Sequence, residues 1–194
     1  FLLENCNKVI FVSNWIKNEF FKNLQYKHKN NTEIIYNFIN PIKKFPKKEN
    51  TIIFSGKLNS AKGFDLFGSA IIRILNKYKK WNAIAVGDEP REKFSFKHKR
   101  LNFTGWIPHH KVLKLYSKSS INIAPSIWDE PFGRSPLESG SRGNAVIISK
   151  RGGLPETIRK PIFLEKVTAN ELFNEIENLI NNVKLLKQTQ INNF

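Results

Sequence analysis

Two carboxylates, Glu130 and Glu138, stand eight residues apart in the run Glu130-Pro131-Phe132-Gly133-Arg134-Ser135-Pro136-Leu137-Glu138, with a Pro/Gly turn between them. Acids at this spacing can do three kinds of work. They can face each other across a cleft as general acid and base at a glycosidic bond. They can grip hydroxyls along a single ligand. Or the second can cap a helix, because Ser135-Pro136-Leu137-Glu138 has the form of a capping box with proline at the first helical position. Glu138 is open to that capping role. Glu130 sits between Asp129 and Pro131 in a turn, with no helix to stabilise. The short turn favours neighbours along one ligand over an opposed acid/base pair.

A second group with chemical potential is the loop Ser55-Gly56-Lys57-Leu58-Asn59-Ser60-Ala61-Lys62-Gly63. Gly56 permits a tight turn, and Lys57 and Lys62 flank a stretch that leads into a helix. Free amides at such a junction attract phosphate, and lysines add full charge. Two ordinary lysines on a solvated loop account for the same residues. Gly152-Gly153-Leu154-Pro155-Glu156 implies close backbone approach to something. Trp106 reads as an aromatic wall or as core. His109 and His110 read as exposed residues of a helix first turn, since no further His/Cys/Asp cluster has metal-ligand spacing. No metal site is expected.

These residues need elements to position them. Residues 8–12, 33–36, 51–55, 82–86, 101–104, 121–124, 145–149 and 162–164 are short apolar runs that read as strands. Ser13 is a candidate cap for a helix carrying Trp15, Ile16, Phe20 and Leu24. Residues 63–78 place Phe64, Phe67, Ile71, Ile74, Leu75 and Tyr78 on one helical face, and residues 108–119 and 135–142 give further helices. Thr168-x-x-Glu171 opens a long final helix. Apolar strands alternating with helices predict an α/β fold with a parallel sheet covered on both faces. Residues 37–50, with Pro41, Pro46 and four lysines, read as a linker. The division expected is residues 1–40 as the tail of one domain, 41–50 as linker and 51–194 as the main domain.

The chain has 194 residues, 40% hydrophobic and 25% charged, which suits a globular domain. No run of 18 apolar residues exists, so no membrane-spanning helix is expected. The start lacks a signal-peptide pattern. One cysteine, Cys6, fits a reducing, cytoplasmic setting. The chain opens on Phe1 and holds no methionine, so it is expected to be part of a longer product. The net charge of +16 points to phosphate-bearing partners. It is spread as +5 over residues 1–50 and +11 over the rest, with no basic arm, which weakens a nucleic-acid reading. Lys97-His98-Lys99-Arg100 reads as a solvated loop.

In this order the segments resemble the retaining nucleotide-sugar glycosyltransferases of family 4, which have the GT-B fold of two Rossmann-like domains. The resemblance rests on Glu130-x7-Glu138, the loop from Gly56-Lys57 to Lys62-Gly63, the Gly152-Gly153-Leu154-Pro155-Glu156 signature, and the segments Val12-Ser13-Asn14-Trp15 and Ile35-Tyr36-Asn37. It covers nearly the whole chain but only about the second half of such an enzyme. The Glu-Pro-Phe-Gly-Arg form is most similar to transferases of lipopolysaccharide or capsule sugars.

The resemblance implies that Lys57 and Lys62 hold the donor diphosphate at the Gly56 loop. It implies that Glu130 binds sugar hydroxyls beside the backbone amides of Phe132, Gly133 and Arg134. Glu138 would bind both ribose hydroxyls, and Trp106-Ile107 would contact the base through the backbone. Lys57, Lys62 and Glu130 would carry the chemistry, without metal or resident cofactor. The implied partners are a nucleotide sugar and a glycan or lipid-linked acceptor, with peripheral contact to anionic membrane and no nucleic acid. The family usually has arginine at Lys57, an apolar residue at Arg134, and Asn-Gly-x-Asp where Asn37-Phe38-Ile39-Asn40 stands. The other readings are a nucleotide-sugar 2-epimerase of the same fold and a basic nucleic-acid or membrane module.

Overall fold

The computed structural model describes residues 6–23 and 31–194. Leu24, expected on the first helix, lies outside them. Val9–Phe11 (β1) and Thr32–Ile34 (β2) pair in parallel, joined through the helix Asn14–Asn23 (α1). The remaining strands form one six-stranded parallel sheet: Glu49–Ser55 (β3), Asn82–Val86 (β4), Leu101–Phe103 (β5), Ser119–Ala124 (β6), Ala145–Ser149 (β7) and Ile162–Leu164 (β8).

Their spatial order is β5-β4-β3-β6-β7-β8. The chain winds outward from β3 to β5, returns to the centre at β6, and winds the other way to β8. Connections from β3 and β6 therefore leave in opposite directions, opening a crevice between their carboxyl ends.

Both faces of the sheet are buried because its strands are apolar on both sides. Thr51, Ile52, Ile53 and Phe54 are all buried, as are all five residues of β7. Phe54, Ile121, Ile123 and Ile147 face the helices Phe64–Lys77 (α2) and Ala169–Asn181 (α5), meeting Phe67, Ile71 and Leu75 of one and Leu172, Ile176 and Leu179 of the other. On the opposite face, Ile53 and Val86 pack on Tyr116 of the helix His109–Lys118 (α3). The stripe Phe64, Phe67, Ile71, Ile74, Leu75 is the helical face that the spacing predicts.

Four elements differ from expectation. The final helix is two, α5 and Val183–Asn193 (α6), because the Asn182 side chain accepts from the Leu185 amide and starts a new N-terminus. The Thr168 capping box is half made: Thr168 Oγ1 accepts from the Glu171 amide, while the Glu171 carboxylate accepts from the amides of Glu165 and Lys166 instead. The helix after Glu130 is Arg134–Gly140 (α4), beginning one residue early behind Gly133. The presumed linker ends at Lys48, since β3 begins at Glu49.

The stretch before β3 has no periodicity, yet side chains pin it. Lys48 Nζ donates to the carbonyls of Tyr116 (2.9 Å), Ser117 (3.2 Å) and Arg142 (2.6 Å). Arg142 in turn donates to the Asn40 carbonyl (3.1 Å), and Phe45 packs edge-on against Phe194.

Candidate functional site

The crevice at the carboxyl ends of β3 and β6 holds two cavities that share Ser55 and Gly56. The first, of about 190 Å³, is lined by Lys62, Ser126, Glu130, Gly133, Arg134 and Ser135 among others. The second, of about 460 Å³, is lined by Lys57, Gly87, Asp88, Trp106, Ile107, His109 and Glu138.

The Gly56 loop is fixed from beneath. The Gly56 amide donates to the Val86 carbonyl (3.0 Å), and a Cβ on Gly87 would lie 2.0 Å from the Gly56 oxygen. Only a residue without a side chain lets the two strand ends approach this closely. Further along, Asn59 Oδ1 accepts from the Lys62 amide (3.0 Å), which sets the turn Ser60–Lys62. That turn aims the Lys62 ammonium at the Glu130 carboxylate, with which it forms an ion pair. Ser126 Oγ donates to the same carboxylate oxygen (3.1 Å). The Glu130 side chain is only 12% exposed, so the pair is shielded from water on most sides.

The loop bearing Glu130 rests on Gly152-Gly153. The Gly153 amide donates to the Glu130 carbonyl (2.6 Å). Gly152 has φ +59°, and a Cβ there would lie 2.2 Å from the Glu130 oxygen and 2.5 Å from its nitrogen. A Cβ on Gly153 would meet the Pro131 oxygen at 2.5 Å. The close backbone approach implied by the double glycine is thus made to the loop of Glu130.

Glu138 does not cap its helix. No side chain caps α4, and Ser135 Oγ accepts from the Tyr116 hydroxyl (2.9 Å) instead. The Glu138 carboxylate, 8% exposed, faces His109 Nε2 and Arg134 Nη2, each at 3.0 Å. One partner comes from the start of α3 and the other is the first side chain of α4 itself. His109, read from sequence as a free surface residue, is therefore a partner of Glu138. Trp106 is 75% exposed and forms a wall of the second cavity, not core.

The expected site residues divide between the cavities. Gly56, Lys62, Glu130, Gly133 and Arg134 meet in the first; Lys57, Trp106, Ile107 and Glu138 in the second, with Gly56 common to both. The Phe132 side chain stays out of both, buried beneath Tyr36 with ring centroids 5.9 Å apart. Ser126 went unremarked in the sequence, while Ser55 was read only as part of the Gly56 loop and Ser135 only as a helix cap. The signal available for Ser126 was a small hydroxyl residue two positions past the end of β6. Among the described residues no group of three or more His, Cys, Asp or Glu is placed to hold a metal ion. No described helix is long and apolar enough to cross a membrane.

Glu156, the last residue of the double-glycine signature, ties the first segments to this site. Its carboxylate accepts from the Asn14 amide (2.7 Å), Asn14 Nδ2 (2.9 Å), the Trp15 amide (2.8 Å) and the Tyr36 hydroxyl (3.0 Å). It thus caps α1 from a distant part of the chain, satisfying amides that lack helical partners. Burial works to raise its pKa, but these donors outweigh burial and hold the carboxyl below its ordinary 4.5. A carboxyl depressed by folding adds stability that is complete above the ordinary value and is lost as pH falls through the lower, folded value. Glu156→Gln is expected to cost about 1–2 kcal/mol at neutral pH. The difference from the parent should shrink at pH 3. Thermal unfolding at both pH values measures it, and a gap of equal size at both would show that the carboxylate charge contributes nothing.

The profile of the family described as glycosyl transferases group 1 matches residues 36–193. The chain belongs to that family. The match takes in both cavities, the Glu130–Glu138 run and the double-glycine signature. A lipopolysaccharide core biosynthesis mannosyltransferase, LpcC, of Rhizobium leguminosarum is 31% identical over 115 residues, covering 53% of this chain and 32% of that protein. The C-terminal domain of a group 1 glycosyl transferase, LpcC of Francisella tularensis, superposes with a TM-score of 0.68 at 25% identity, over 79% of this chain and 90% of that one. Anabaena HepE in complex with UDP-glucose superposes with a TM-score of 0.77 at 19% identity, over 97% of this chain and 58% of that one. These likenesses establish the GT-B type of α/β sheet. The chain spans between 30% and 52% of the length of the first curated relatives it matches.

Proposed function

We propose that this chain is the donor-binding half of a retaining glycosyltransferase, which moves a sugar from a nucleoside diphosphate to a glycan or lipid-linked acceptor. The observation that carries the reading is the pair of cavities joined at Ser55-Gly56, one holding Lys62 with Glu130 and the other Lys57 with Glu138. A two-part ligand with a charged centre fits such a crevice. In this reading residues 49–194 form the donor domain, 41–48 a linker and 1–40 the tail of the acceptor-side domain.

The ribose lies on Glu138, which accepts from both hydroxyls, and the base lies along the Trp106-Ile107 backbone. The diphosphate crosses Gly56 between Lys57 and Lys62. The sugar reaches Glu130 and the amides of Phe132, Gly133 and Arg134. Cleavage of the bond from the sugar's anomeric carbon to the diphosphate oxygen leaves the bonding electrons, and negative charge, on phosphate. Ammonium groups fixed beside it stabilise that charge as it develops, with no resident cofactor or metal required by the reading. Arg134, paired with Glu138 and lining the sugar-side cavity, spans both compartments. HepE was captured with UDP-glucose, which supports a nucleotide sugar as donor. The Rhizobium leguminosarum lipopolysaccharide core mannosyltransferase supports a role in bacterial surface polysaccharide. The net charge of +16 supports a peripheral encounter with anionic lipid at the inner face of the cytoplasmic membrane, where each well-placed Lys or Arg contributes about 1 kcal/mol of attraction.

Titration of the chain with UDP-, GDP- and ADP-sugars at two salt concentrations tests the reading. One of the three is expected to bind, at least tenfold more tightly than its 2′-deoxyribose analogue, because Glu138 loses a partner in the analogue. Glu138→Ala should abolish that preference. Salt-sensitive DNA binding with no nucleotide-sugar binding would overturn the assignment.

A further inference from the structure

Tyr116 is the one residue of α3 that is wholly buried, and its hydroxyl ends directly beneath the first cavity. That hydroxyl donates to Ser135 Oγ (2.9 Å) and is hydrogen-bonded to the Ser55 side chain. Both serines line the cavity floor, Ser55 at the end of β3 and Ser135 in the first turn of α4. The backbone of Tyr116 is held just as firmly, since its carbonyl accepts from Asn144 Nδ2 (2.7 Å) and from Lys48 Nζ (2.9 Å).

A phenol has one proton to give and lone pairs to receive. Burial pushes the Tyr116 pKa up to about 12; the bonds to Ser135 and Ser55 oppose the rise, and the Glu138 charge adds to it. The phenol therefore keeps its proton across the working range of pH and remains a donor. Ser135, accepting that proton, has its own left to give. The turn carbonyl four residues back, Pro131, already accepts from Ser13 Oγ (2.6 Å). The open side of Ser135 is the cavity, where Lys62 and the Gly56 loop converge.

We propose that Tyr116 is a positioning residue for the donor's phosphate, acting through Ser135, whose hydroxyl it turns into a donor aimed at a phosphate oxygen. This rests on the nucleotide-sugar reading above. The phenol also ties the end of β3 to the first turn of α4, since it bonds a serine on each.

Tyr116→Phe removes one oxygen and leaves the core volume in place. The expected result is a loss of about tenfold in affinity for the nucleoside diphosphate that the parent binds, among UDP, GDP and ADP, with affinity for the matching nucleoside unchanged. Ser135→Ala should show the same loss, and the double variant no more than either alone. Unfolding temperatures recorded alongside report any general loosening. A purely structural tyrosine would lower the unfolding temperature and leave the preference for diphosphate over nucleoside intact. That result, or additive losses in the double variant, overturns the proposal while the nucleotide-sugar reading stands. A parent chain that binds none of the three diphosphates overturns both.

Discussion

Gly152→Ala will destabilise the chain by about 3 kcal/mol and collapse the first cavity. Two costs combine. A side chain at φ +59° carries a left-handed penalty of about 1–2 kcal/mol. The new methyl would also lie 2.2 Å from the Glu130 oxygen, 2.5 Å from its nitrogen and 2.9 Å from the Asp129 carbonyl carbon. All three are backbone atoms, so no side chain can swing aside, and overpacking of this kind costs about 1–3 kcal/mol more. Relief comes only by moving the Glu130 loop, which takes Glu130 away from Lys62 and Ser126. Gly105→Ala separates the two causes. Gly105 has φ +63° but open space around its would-be Cβ, so it carries the conformational cost alone. For a domain of this size the Gly152 variant should unfold roughly 6–12 °C lower and the Gly105 variant about 2–8 °C lower. Only the first should lose nucleotide-sugar affinity. Equal effects of the two substitutions on that affinity would show that Gly152 does not support the Glu130 loop.

The glycine pair marks where the sequence was readable and where it stopped. Gly152-Gly153 announces a close approach of backbone, but its target, the carbonyls of Glu130 and Pro131, lies some twenty residues away in the chain and no local pattern points there. The strands were legible because a sheet buried on both faces requires unbroken apolar runs, and such runs stand out against Lys- and Asn-rich connections. The α2 stripe was legible for the same reason. Helix ends were less so: Ser135-Pro136-Leu137-Glu138 satisfies every local rule for a capping box, yet Tyr116 claims the serine and His109 and Arg134 face the glutamate. Tyr116 and His109, both from α3, displace the local cap there, and Arg134 joins them from the start of α4 itself. The grouping of Lys62 with Glu130 and of Lys57 with Glu138 follows from the order of strands, which spacing along a chain does not encode. Residues 37–50 read as a loose linker because lysines and prolines show no period, while Lys48 is held by three carbonyls that only the folded chain brings together.

Glu130→Gln is expected to split two affinities that ordinarily move together. In the open cleft the Lys62 ammonium is paired with the Glu130 carboxylate. In the proposed reading a diphosphate entering beside Gly56 needs that ammonium, and it meets a carboxylate of its own sign. The glutamine is the same size and keeps an acceptor for Ser126, but it frees Lys62 and removes the repulsion. The variant should therefore bind the free nucleoside diphosphate as tightly as the parent or several-fold more tightly. The nucleotide sugar behaves oppositely. Its hydroxyls bond more strongly to a carboxylate than to an amide, by roughly a factor of two in energy. Any gain in affinity that the parent shows for the sugar form over the diphosphate should disappear in the variant. Under the proposed transfer by a complete protein the expected consequence is larger, because charge would build on the leaving phosphate and on the sugar ring in the transition state. Loss of one preorganised group at such a site lowers turnover by about 10²–10³. Lys62→Met supplies the opposite sign: it strands Glu130 beside the diphosphate, and both affinities should fall together, by tenfold or more. If Glu130→Gln weakened diphosphate and sugar diphosphate to the same degree, Glu130 would be a scaffold for its loop and not the group that recognises the sugar.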